Sequence, residues 1–160
     1  MLKKILLVLL IAFVVIQFFR PAKNQSAGAQ PHNIETKYAV PADVKGILQK
    51  ACYDCHSNNT NYPWYSQIQP TAWWLADHIK EGKMELNFDE FTNRPVRYQY
   101  RKLEEVEELV RENEMPLKSY TLVHRDAILT DAEKNTLYSW VANTRAGIEA
   151  AYPIDSLVRR

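Results

Sequence analysis

The chain has 160 residues, with 20 basic and 19 acidic side chains and a formal net charge of +1. That length suits one modest domain with an appendage, and the balanced charge, without a Lys/Arg-rich run, excludes a nucleic-acid partner. An apolar share of 46% is that of a packed domain rather than a disordered chain, and two cysteines alone exclude a disulfide framework or a four-cysteine zinc site.

Residues 1–22 form a separate segment. Lys3 and Lys4 precede an apolar run from Ile5 to Phe19, interrupted only by Gln17 and closed by Arg20-Pro21. A secretory signal has an apolar core of about 7–15 residues, and a spanning helix needs about 17–25. This run lies between the two. The small-residue stretch at 26–29 falls beyond Arg20 and Lys23, which favours an uncleaved signal anchor over a cleaved signal. No cysteine follows the run, so a lipoprotein anchor is excluded. The lysines hold the N-terminus in the cytoplasm, and both readings export the remainder. The expected location is a bacterial inner membrane, with the folded part facing the periplasm.

Residues 23–39 are polar, with Pro, Gly, Ser and Asn, and read as a linker. The folded domain is expected over residues 40–150. A first short helix opens at Pro41, puts Val44, Ile47, Leu48 and Ala51 on one face, and runs into Cys52. A second is expected over 71–82, with Thr71 as N-cap and Gly82 as its stop. A third covers 98–113, with Leu103, Val106 and Val110 as its apolar stripe and a solvated charged face. The last opens on the capping box Thr130-Asp131-Ala132-Glu133 and carries Leu137, Trp140, Val141 and Ile148 at helical spacing. No alternating run is long enough for a sheet. The class is all-α, with long irregular loops.

Both cysteines lie in Cys52-Tyr53-Asp54-Cys55-His56. Cys-x-x-Cys-His is the spacing of a c-type haem attachment: each sulfur adds to one vinyl group, and the histidine that follows supplies its Nε2 to the iron. A redox dithiol and a zinc site compete with this reading. The dithiol wants a preceding strand in a βαβ unit, and here a helix precedes. Zinc would take His56 and a further histidine to complete four ligands. For the sixth position on the iron, Met115 stands before Pro116 in a loop ahead of the last helix, and the proline fixes φ beside it. Met84 reads as packing, His78 as a core histidine, His124 as a neighbour of the haem edge, and His32 as free in the linker. Tyr62, Trp64, Tyr65, Trp73 and Trp74 crowd just after His56, the kind of side chains that cover a porphyrin face. The Nδ1–H of His56 needs an acceptor, for which the carbonyls of Pro63 and Pro70 are candidates.

The stretch from Cys52 through Phe91, together with Met115 through Val141, resembles the bacterial haem-binding domain family, small membrane-anchored single-haem relatives of cytochrome c. The run from Cys55 to Pro70 and the Leu86-Asn87-Phe88 triplet are the more specific matches. The resemblance implies a class I cytochrome c-like helical domain with one covalent haem c on Cys52 and Cys55, His56 on the iron, and Met115 at the family's Met-Pro position. With iron closed by His56 and Met115, one-electron transfer to redox partner proteins is expected rather than enzymatic turnover. An open sixth position would instead suit a small-gas or redox sensor, or a peroxidase-like enzyme using His78 or His124.

Overall fold

A computed structural model describes residues 1–158. Eight helices account for the regular structure: α1 Leu2–Ile16, α2 Ala42–Ala51, α3 Tyr53–His56, α4 Thr71–Glu85, α5 Val96–Arg111, α6 Lys118–Val123, α7 Asp131–Ala151 and α8 Ile154–Leu157. Short 3-10 turns connect several of them. No strand forms among the described residues beyond an isolated bridge between Gln25 and Asn59. The all-α class is therefore the observed one.

The core lies where α2 and α5 pack on α7. The expected faces meet there: Val44, Ile47 and Leu48 from α2, Leu103 and Val110 from α5, and Leu137, Trp140, Val141 and Ile148 from α7 are all buried. Phe88 and Phe91, each 1% exposed, close the core from the loop after α4. Side chains of this size contribute about 1.5–3 kcal/mol each when fully buried. The capping box at α7 is present as read, with the Thr130 hydroxyl accepting from the Glu133 amide and the Glu133 carboxylate accepting from the Thr130 amide. Lys50 at the end of α2 pairs with the same Glu133 at 2.6 Å and holds its carboxyl below the usual range.

Three boundaries and one element differ from expectation. The helix expected over 71–82 runs through Gly82 to Glu85, because Gly82 serves a close approach rather than a stop. α5 opens two residues early, at Val96, since Pro95 caps it and fixes the entry. α6 was not anticipated. Its six residues alternate polar and apolar too irregularly to show a helical stripe. The domain also extends past 150, because α8 packs on α5 with Leu157 buried, and Arg97 Nε donates to the Ser156 carbonyl at 3.1 Å.

The N-terminal quarter departs further from expectation. The run expected to anchor the chain is helical only over the 15 residues of α1, none of them buried. No helix among the described residues is long and apolar enough to cross a membrane. The helix stops where the Gln17 side chain turns to the backbone of Gln69. Residues 23–39 are not a loose linker: they lie along the domain. Asn24 Nδ2 donates to the Ser57 carbonyl and Thr60 Oγ1 at 2.9 Å each, Asn33 Nδ2 donates to the buried Asp89 carboxylate at 2.7 Å, and Ile34 is fully buried.

Candidate haem site

The Cys-x-x-Cys-His residues form α3, one helical turn continuing from α2. It backs directly onto α4. The approach is close enough that a Cβ at position 82 would stand 2.8 Å from the Cys55 carbonyl oxygen and 3.1 Å from the Cys55 Cβ. Only glycine fits, which is why it sits inside a helix at the usual propensity cost.

The Gly82 carbonyl, which accepts from the Leu86 amide at 2.9 Å, has a second partner. His56 Nδ1 lies 2.9 Å from the Gly82 oxygen and 3.0 Å from the Leu86 oxygen. Both groups only accept, so Nδ1 carries the proton and Nε2 presents its lone pair. The proline carbonyls considered from the sequence do not take this role. Pro63 O accepts from the Ser66 amide and hydroxyl, and Pro70 O accepts from the Trp73 and Trp74 amides. Local turns have consumed both. Burial, the largest influence, lowers the His56 pKa from its ordinary 6.5, while the two carbonyl contacts oppose it. The ring is thus held neutral, as a metal ligand must be.

Two adjoining cavities, each of about 340 Å³, flank this turn. One is walled by Cys52, Cys55, His56, Gly82, Met115 and Tyr120, among others. The other is walled by Cys55, Trp64, Tyr65, Trp74 and Val123. Cys55, His78, Leu117 and Tyr120 border both. The volumes are of ligand-site size. A larger cavity of about 900 Å³ lies between Tyr38, Tyr152 and the α2/α7 surface, touching none of the site residues. Chemistry rather than size selects the smaller pair.

The two alternative readings of the cysteines lose ground here. Burial, then the neighbouring Cys55, pushes the Cys52 thiol up to about 12. Burial, then Asp54, pushes Cys55 to about 11. A redox dithiol needs the opposite shift, because the thiolate is the attacking species. In protein made without haem attachment, alkylation at neutral pH is expected on the order of a hundredfold slower for Cys55 than for an unburied cysteine, and slower still for Cys52. Rates equal to those of a free thiol, measured by mass spectrometry, would contradict this environment. For zinc, no group of three or more His, Cys, Asp or Glu side chains converges among the described residues.

Met115 is half-buried against the edge of the core and shares the cavity of His56 and both cysteines. Met84 is largely exposed and borders a different cavity, so it is not the packing residue expected. His78 borders both cavities, its Nδ1 2.9 Å from the Trp74 carbonyl. His124 stacks on Tyr120 with ring centroids 4.3 Å apart, and its Nε2 lies 2.7 Å from the Tyr65 hydroxyl. Tyr120 in turn donates to the Asp54 carboxylate at 2.8 Å, within the Cys-x-x-Cys-His turn itself. The carbonyl of His32 accepts from the Thr92 amide, far from the site. Of the five crowded aromatics, Trp64, Tyr65 and Trp74 wall the second cavity. Tyr62 instead accepts from the Asn24 amide, and Trp73 Nε1 donates to the Phe19 carbonyl. Leu117 and Tyr120 were not singled out from the sequence, and Gly82 and Leu86 were read there only as a helix stop and as part of a family-like triplet. Only the glycine within an otherwise helical stretch carried a signal.

A paired-cysteine turn, a half-buried histidine whose Nδ1 is fixed by two carbonyls, and adjoining largely apolar cavities fit a haem: the fold and site define a haem-binding protein. A family profile described as haem-binding domain matches residues 11–143, and the chain belongs to that family. No curated protein and no solved structure matches the chain.

Proposed function

We propose that Cys52 and Cys55 hold one haem c by thioether bonds, with His56 and Met115 as axial ligands, and that the protein is a one-electron carrier rather than an enzyme. The observation that carries this reading is the convergence of His56, Met115 and both cysteines on one cavity. When bound, the haem supplies a couple between ferric and ferrous iron, one electron apart. His56 contributes a neutral imidazole fixed by two carbonyls, so little rearranges between the two states. Met115 would contribute a thioether, a type of iron ligand that raises the potential. The largely apolar lining, Tyr65, Leu75 and Leu117 included, would lower the local dielectric, which disfavours the more positive ferric state. α2, which leads into Cys52, packs on the capped α7. That packing supports a class I cytochrome c-like arrangement. The exposed α1, apolar from Ile5 onward behind Lys3 and Lys4, supports attachment to a bacterial inner membrane with the haem domain in the periplasm, handing electrons to redox partner proteins.

The experiment is Met115→Ala in the matured protein. The expected outcome is loss of the long-wavelength sulfur-to-iron band, a shift toward high spin, and new binding of carbon monoxide. An unchanged spectrum would remove Met115 from the iron. A second reading, a sensor or peroxidase-like enzyme with an open sixth position, is favoured by one observation. His78 borders both cavities, and its Nδ1 is bonded to a carbonyl, so its Nε2 is bare. Wild-type protein that binds carbon monoxide readily would favour that reading over electron transfer.

A further inference from the structure

The C-terminal end of α1 is bolted to the haem domain. Gln69 N donates to Gln17 Oε1 at 2.9 Å, and the Phe19 carbonyl accepts from Gln69 Nε2 at 2.9 Å and from Trp73 Nε1 at 2.7 Å. Arg20 Nη1 adds a bond to Gln67 Oε1 at 3.2 Å. No spacer separates the apolar helix from the domain. The helix is also short. Its 15 residues extend about 22 Å, against a hydrocarbon core of about 30 Å. A short inserted segment is accommodated by thinning the bilayer and drawing its flanks into the interface. Here the flank is the domain itself, through residues 67–70 and the first turn of α4.

That side of the domain is apolar at its surface. Trp64 is 77% exposed, Leu122 66% and Val123 57%, and Ile68 and Trp74 are exposed beside them. Scattered exposed apolar side chains need no explanation. These are not scattered: Trp64, Trp74 and Val123 wall one cavity of the haem site, and Ile68 belongs to the loop that grips α1. Tryptophan favours the headgroup layer, where an apolar ring and an N–H are both accommodated.

We propose that this face lies in the headgroup layer of the membrane into which α1 inserts, so that the Trp64/Trp74 mouth of the haem cavity opens toward lipid rather than toward the aqueous periplasm. The occupant is the lipid interface, and the proposal rests on the membrane attachment proposed above. It places the haem edge against electron donors and acceptors resident in the bilayer.

The test uses the full haem-loaded chain in vesicles of phosphatidylethanolamine and phosphatidylglycerol. Thioethers occupy Cys52 and Cys55, so Ile68→Cys, Leu122→Cys and, on α5, the exposed Glu108→Cys each offer one thiol for a nitroxide. Power saturation then compares access by oxygen and by a water-soluble nickel chelate. The expected result is a severalfold excess of oxygen over nickel access at 68 and 122, reversed at 108. Protein that floats with the vesicles but admits nickel freely at 68 and 122 overturns the inference and leaves attachment standing. Labels at 68 and 122 shielded from both reagents mean a partner protein or second copy covers the face, and overturn it too. Protein that does not float with the vesicles overturns attachment and inference together.

Discussion

Replacing His56 with glycine is expected to leave haem covalently attached while converting the low-spin spectrum to a high-spin one. Added imidazole is expected to restore the low-spin bands, because the substitution empties a ligand position without touching the thioether cysteines. Failure of imidazole to act, or an unchanged spectrum, would remove His56 from the iron. The same residue gives the haem-free chain a pH signature. Burial lowers the His56 pKa from 6.5 in the fold, so below that value the unfolded chain binds a proton that the folded chain resists. The histidine's share of stability is complete above 6.5 and declines as pH falls beneath it. Urea midpoints at pH 7 and pH 5 should diverge more for wild type than for His56→Gln. Equal divergence would place the titration elsewhere.

The second large effect is expected at Gly82. Alanine inside a helix ordinarily gains about 0.5–1 kcal/mol over glycine. Here the added Cβ would lie 2.8 Å from the Cys55 carbonyl oxygen, a backbone atom that no rotamer change can move. Overpacking of this kind costs about 1–3 kcal/mol, so the clash wins. Gly82→Ala should destabilise the domain, and it should also impair haem attachment, because relief requires α3 to part from α4 and the His56 acceptor moves with it. Gly46 in α2 is the control: a Cβ there meets nothing within 4 Å, and Gly46→Ala should stabilise. Chemical denaturation of both variants decides the matter. A stabilised Gly82→Ala would show that the two helices do not approach as described.

The parts of this molecule legible in the sequence are those set by local chemistry. Helical spacing in α2, α5 and α7, the Thr130 capping box and the Cys-x-x-Cys-His turn depend on residues within a few positions of one another. What sequence reasoning missed depends on distant segments meeting. Gly82 looked like a helix stop because its real reason, Cys55, lies far along the chain. The proline carbonyls near His56 looked available until their own turns were counted. Residues 23–39 have linker composition, yet asparagine and glutamine side chains that suit solvent also suit a bonded layer over Ser57, Thr60 and Asp89. Tyr120 gave no signal, since its role comes from meeting Asp54 and His124 at one place.

The most direct test of the central claim is intact mass and absorption of the full chain produced in a host with c-type maturation machinery, beside a Cys52→Ala/Cys55→Ala variant. Wild type is expected to carry the mass of one haem after denaturation, with low-spin bands that sharpen on reduction, and the variant to lose its haem on denaturation. A wild-type chain at its bare polypeptide mass and without colour, after proven maturation of a control cytochrome, would contradict covalent haem attachment at Cys52 and Cys55.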